Sequence, residues 1–172
     1  MLAVLLLAGC KHEDVSFSFN SQAEMPTSDS KTYLVNEHWI YWDASDQISV
    51  ASDQTASPAQ GTLRSGENTT DALFQVSLPS NSTKFCALFP YNTDHIINYS
   101  GGSFTVKCKF PTSQVFRDDF TFGISDCPMV AYEEAIGGNL SDSMLFHSLC
   151  GIARIQFFSS IDETHVIKSI RV

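Results

Sequence analysis

Apolar and polar residues alternate with period two along much of the chain. Val15, Phe17 and Phe19 are separated by serines, and Ile48 and Val50 alternate with Gln47 and Ser49. Ala72, Phe74, Val76 and Leu78 share one parity against Gln75 and Ser77, and Phe104, Val106, Cys108 and Phe110 alternate with Thr105, Lys107 and Lys109. Side chains two apart on an extended chain point the same way, so each run predicts a strand with one apolar and one wet face. Lys84 to Phe89, Pro128 to Tyr132 and Gly151 to Phe158 are denser apolar runs, short enough for strands covered on both faces. Val166 to Val172 mixes the two parities, so the chain stops inside a strand-like run and the expected fold is incomplete at its carboxyl end.

Helical periodicity is scarce. The best stretch, Ala131 to Leu140, meets Gly137 and Gly138 after less than two turns, and two glycines cost a helix interior about 2 kcal/mol. Polar stretches rich in Ser, Asn, Asp, Gly and Pro separate the strands at Asn20 to Lys31, Ser52 to Asp71, Ser80 to Thr83, Ser100 to Ser103 and Gly137 to Ser143. Short strands with such punctuation and no crossover helices predict an all-β sandwich rather than a parallel α/β sheet. The paired glycines Gly101-Gly102 read as a turn needing positive φ.

Composition narrows the function. The 172 residues are 43% hydrophobic and only 17% charged, which excludes a disordered tail or a coiled coil and provides for one ordinary core. With 10 Lys and Arg against 19 Asp and Glu, the net charge of −9 would repel a phosphate backbone, and the basic residues are not clustered. Nucleic acid is therefore not an expected partner.

The amino terminus points to export. Leu2 to Ala8 is an apolar run too short to span a bilayer, followed by Gly9 and Cys10 and then by polar Lys11 to Asp14. Leu7-Ala8-Gly9-Cys10 resembles the lipobox of bacterial lipoproteins, which implies removal of residues 1–9 and acylation of Cys10, although no basic residue precedes the apolar run. Cys86, Cys108, Cys127 and Cys150 then remain. In an exported chain they allow two disulfides in three pairings, and buried thiols are an equal alternative for Cys86 and Cys108 inside strand-like runs.

Chemistry-bearing motifs are scarce. There is no G-x-S-x-G, H-E-x-x-H, Walker loop, G-x-G-x-x-G or C-x-x-C, so no catalytic residue, cofactor or metal ligand is expected. His147 lies beside Ser148 and near Cys150, but neighbours on an extended chain face opposite ways, which reads as a strand-edge histidine. The adjacent Asp118 and Asp119 read as a solvated loop. The sequons beginning at Asn68, Asn81, Asn98 and Asn139 read as turn chemistry.

An ordered series of segments carries a family resemblance. It runs from Trp42-Asp43-Ala44-Ser45-Asp46-Gln47-Ile48-Ser49-Val50 through Phe85-Cys86-Ala87-Leu88-Phe89-Pro90, Pro111-Thr112-Ser113-Gln114 and Pro128-Met129-Val130-Ala131. It continues with Phe146-His147, Gly151-Ile152-Ala153-Arg154-Ile155 and Ile167-Lys168-Ser169-Ile170. In order and approximate spacing, from about Val15 onward and behind a lipobox, this resembles the amino-terminal domain of the fimbrillin-like (FimA/Mfa-like) pilin and anchor lipoproteins of Bacteroidales.

The resemblance implies an antiparallel, Greek-key-like, transthyretin-like β-sandwich without enzymatic activity, exported to the outer membrane and cell surface or fimbrium. Such proteins assemble by strand exchange: an early strand is removed by an Arg-directed protease, and an extended segment of the next subunit fills the groove. On this chain the early strand would hold Val15, Phe17 and Phe19, close to the lipid on Cys10. The expected organisation is a signal peptide at 1–9, a lipid tether with early strand and polar linker at 10–38, and a β-sandwich domain at 39–172. No arginine occurs between Cys10 and Leu63, so the first Arg-type cut falls at Arg64, in the polar stretch Thr62 to Asp71, and would discard Trp39, Trp42 and Ile48. A subunit that keeps its lipid suits an anchor or accessory role in adhesion. Its expected partners are the membrane lipid, other fimbrial subunits or copies of itself, and a host or bacterial surface ligand. The competing expectation is a surface glycan-binding lipoprotein in which exposed Trp39 and Trp42 stack on sugar rings, so their burial discriminates between the two.

Overall fold

A computed structural model describes residues 14–23, 41–110, 112, 128–135 and 143–150. The leader with Cys10, Trp39, the Asp118-Asp119 pair, Cys127, Gly137-Gly138 and the strand-like runs after Cys150 lie outside the described residues. The all-β expectation holds: among the described residues there are nine strands and no helix. In chain order they are β1 (Asp14–Ala23), β2 (Gln47–Ser52), β3 (Ala59–Ser65), β4 (Asp71–Pro79), β5 (Lys84–Phe89), β6 (Ile96–Ser100), β7 (Ser103–Lys107), β8 (Met129–Glu134) and β9 (Met144–Ser148). Seven of them close into a barrel-like sheet in the order β1-β4-β3-β2-β5-β8-β9, and β6-β7 form a separate two-stranded sheet. Neighbours in the large sheet are antiparallel except β9 and β1, which pair in parallel over Ser21 to Ala23.

Where one face of a strand is buried and the other wet, the period of two survives in the structure. Ala72, Phe74, Val76 and Leu78 of β4 all point into the barrel, and its outward positions are at least partly exposed. Ile48 and Val50 of β2, Phe85, Ala87 and Phe89 of β5, Met129 and Ala131 of β8, and Met144 and Phe146 of β9 complete the interior. Full burial of each large side chain contributes about 1.5–3 kcal/mol, so this one cluster supplies most of the driving force.

The outside of β2, β5 and β8 is also covered. Ala51, Cys86 and Leu88 are buried there with Ile97 of β6, and Phe104, Val106, Cys108 and Val130 pack against them. This second layer explains why Lys84 to Phe89 lacks a polar face. The β6–β7 hairpin that forms the layer turns at Gly101 and Gly102, with φ of +60° and +87°, a conformation in which a Cβ is strained.

The polar stretch Ser52 to Asp71 is not one loop, because it contains β3. The inward positions of β3 are Ala59, Gly61 and Leu63, and a Cβ on Gly61 would lie 2.8 Å from Ile48 Cγ1. The strand must be small where it meets β2, which erases its apolar alternation. Asn98 likewise lies in β6 rather than in a turn. The stretch Ala131 to Leu140 begins as strand β8, and β7 ends at Lys107, leaving Phe110 exposed beyond it.

Candidate functional site

Strand β1 has unequal neighbours. It pairs with β4 in nine consecutive register positions, from Asp14↔Pro79 to Gln22↔Asp71. With β9 it shares only Ser21, Gln22 and Ala23. Among the described residues, Asp14 to Asn20 have no strand partner on the side away from β4. Burial deepens along the strand: Val15 is 39% exposed, Phe17 is half-buried, and Phe19 is 2% exposed. Phe17 and Phe19 stack at 6.3 Å, and both lie against Phe85 of β5, at 5.2 and 5.1 Å between ring centroids. Of the alternating side chains singled out in the sequence, Phe17 and Phe19 thus enter one groove lined by β4 and β5, and Val15 stays exposed.

The opposite face of β1 is exposed at Ser16, Ser18, Asn20 and Gln22. A polar ladder crosses it: Arg64 Nε donates to Gln75 Oε1, and Gln75 Nε2 donates to Ser16 Oγ, linking β3, β4 and β1. No sequence signal pairs Ser16 with a residue 59 positions away; only the register does. Arg64 itself is a correction, since it lies within β3 and not in a loop. It occupies the irregularity between Leu63↔Phe74 and Ser65↔Leu73, with its guanidinium engaged. Pairing of β3 with β2 stops at Thr62, and Arg64 is exposed.

Trp42 is in the core. It is 1% exposed and makes edge contacts with Phe74, Phe89 and Phe146 at 5.0, 5.3 and 5.4 Å. Its Nε1 donates to Thr70 O at 3.0 Å, and its backbone exchanges hydrogen bonds with Thr69 and Asn68 at the β3–β4 turn. Such an indole has no face open to a sugar, which removes Trp42 from the glycan-stacking role; Trp39 lies outside the described residues.

The residues after Trp42 form a carboxylate-bound turn leading into β2. Asp43 Oδ1 accepts from the Ser45 hydroxyl and backbone, which hold its carboxyl below the ordinary range. Asp46 is buried, and Oδ2 accepts from Asp43 N–H at 2.8 Å while Oδ1 has no partner. Burial raises the Asp46 pKa above 3.8, the Asp43 hydrogen bond opposes this, and the Asp43 charge adds to it. The native state therefore holds the proton more tightly than the unfolded chain, and this site's contribution to stability falls as pH rises from 3.8 through the raised native value. In Asp46→Asn, which keeps an acceptor for Asp43 N–H, that loss is absent. The melting temperature of the variant minus that of the parent should climb with pH across this window and stay flat above it, by differential scanning calorimetry.

Cys86 and Cys108 are free thiols. Burial pushes Cys86 up to about 12 and raises Cys108 as well. At pH 8 the buried Cys86 stays a thiol rather than the reactive thiolate. Iodoacetamide should therefore leave Cys86 unmodified in the native protein and label it fully in urea, read by peptide mass spectrometry. His147 is exposed on β9, opposite Val130 of β8. Among the described residues no group of three or more His, Cys, Asp or Glu side chains is placed to hold a metal ion.

No family model, curated protein or solved structure matches this chain.

Proposed function

We propose that the protein is a surface lipoprotein that works as a fimbrial subunit or anchor in cell adhesion and joins its neighbours by strand addition. The observation that carries this reading is β1, a strand hydrogen-bonded to β4 along its length but to β9 over only three residues, with Phe17 and Phe19 inserted and a polar outer face. Were such a strand to leave, the groove that it vacated would be bounded by the edge of β4. An extended segment with apolar residues at every second position, from another subunit or another copy, would restore the same contacts. Backbone hydrogen bonds would supply affinity, and the Phe pockets would set register.

Acylation of Cys10 would place the lipid four residues before Asp14, holding β1 near the outer membrane. A cut at Arg64 would discard Trp42 and Ile48, which are buried in the core, and this favours a subunit that is not cut there, in keeping with an anchor or accessory component. The short pairings that close the sheet at β9 are compatible with a flattened barrel, in effect the two facing layers of a Greek-key-like, transthyretin-like sandwich. A binding role without catalysis is consistent with the absence of known catalytic motifs.

The test adds a labelled peptide of the sequence Asp14 to Ala23 to the full chain during dilution from mild denaturant. The peptide should become stably incorporated, and a peptide with serine at both Phe positions should not. Equal incorporation of the two, or of neither, overturns strand addition. Mass spectrometry of the native protein should find an acylated Cys10 as its first residue; an unmodified chain starting at Met1 overturns lipid anchoring.

A further inference from the structure

A second site lies away from β1, on the flank of β2, three strands along the barrel from β1 through β4 and β3. The β2–β3 loop at 56–58 and the segment 91–98 enclose an open recess of about 290 Å³. That volume is just below the range usual for small-molecule sites, about 300–1,000 Å³. Its walls are fixed by the backbone. Tyr91 N–H donates to Gln47 O at 2.7 Å, Asp94 N–H donates to Asn92 Oδ1 at 2.8 Å, and His95 N–H donates to Asn92 O at 3.1 Å.

The lining carries no charged side chain. Asp94, between Thr93 and His95, is instead paired with Lys109 at 2.7 Å. Ser57, Thr93 and Asn98 are exposed and Tyr91 is half-buried, so the recess presents hydroxyl and amide groups at its surface. His95 is 4% exposed; its Nε2 lies 3.8 Å from Cys108 Sγ, and its Nδ1 is buried without a partner. Burial also lowers the His95 pKa, which favours the neutral imidazole.

Uncharged amide and hydroxyl groups beside an aromatic ring and the apolar Pro58 suit a ligand that is neutral, rich in hydroxyls and apolar on one face. We propose that this recess binds one neutral pyranose ring of a glycan, with Asn98 and Ser57 bonding its hydroxyls and Tyr91 covering its C–H face. The site is separate from the β1 groove, and it differs from the Trp39 and Trp42 platform expected from the sequence.

The test titrates the full chain with methyl glycosides of glucose, galactose and mannose, following backbone amide shifts by NMR. At least one sugar should shift amides in 56–58 and 91–98 in a saturable manner. Asn98→Ala and Tyr91→Leu should each weaken binding on the order of tenfold while keeping a native spectrum, and Thr105→Ala, opposite Asn98 in the hairpin, should leave it unchanged. Methyl glucuronide should bind more weakly than its neutral counterpart. Absence of saturable shifts with all three sugars would mean that the recess holds water only and would overturn the proposal. So would undiminished binding in both lining variants, or saturable shifts that map elsewhere. Failure here leaves strand addition untouched, because the peptide experiment reads a different face.

Discussion

Trp42→Ala should lower the free energy of unfolding by about 3–5 kcal/mol, the usual cost of emptying a large aromatic site in a core. The loss has two sources. Three aromatic rings at 5.0–5.4 Å lose their shared partner at once, and the surrounding strands cannot collapse into the space without breaking register. Thr70 O also loses the indole N–H that it accepts. A domain of this size has a total stability of roughly 5–15 kcal/mol, so the variant should melt far below the parent or fail to fold at room temperature. Trp42→Phe keeps most of the packing and gives up the hydrogen bond, and should recover more than half of the loss in urea titrations. Equal stability of Trp42→Ala and the parent would contradict the placement of this residue.

Phe19→Ala should cost a similar amount, about 3–5 kcal/mol, and its effect should be local as well as global. Phe19 is the innermost aromatic of β1, against Phe85, whereas Phe17 is half-buried and Val15 is 39% exposed. Alanine substitutions should therefore grade in the order Phe19, Phe17, Val15, with the last below about 0.5 kcal/mol. Hydrogen exchange should show β1 and the facing edge of β4 opening before β2 and β5 in the Phe19 variant. In that variant β1 loses its innermost anchor on Phe85, and among the described residues its seam with β9 spans three residues against nine with β4, so opening should start there. A uniform increase in exchange over all strands would argue that β1 is not a separable element. The same variant should incorporate the β1 peptide faster than the parent, because its own strand competes less well.

Much of the fold can be read from residue order. The parity of Phe74, Val76 and Leu78, of Ile48 and Val50, and of Phe17 and Phe19 identifies strands and their inward faces, because one buried face forces every second side chain to be apolar. The dense run at Phe85 to Phe89 identifies a strand covered twice, and Gly101-Gly102 identifies a tight turn. Strand β3 was hidden because its inward position at Gly61 is kept small by Ile48. Strand β6 was hidden because only Ile97 is fully buried along it. Arg64 looked like a loop residue for the same reason.

Local alternation thus settles the all-β class and the side chains β1 inserts, since both follow from neighbours along one chain and the two-residue pleat. Which strands meet is a different matter, because it depends on partners far apart in sequence and on register, which local pattern does not encode. That is why the parallel seam of β1 with β9, the Arg64–Gln75–Ser16 ladder, the enclosure of Trp42 and the recess beside His95 emerge only when the sheet closes.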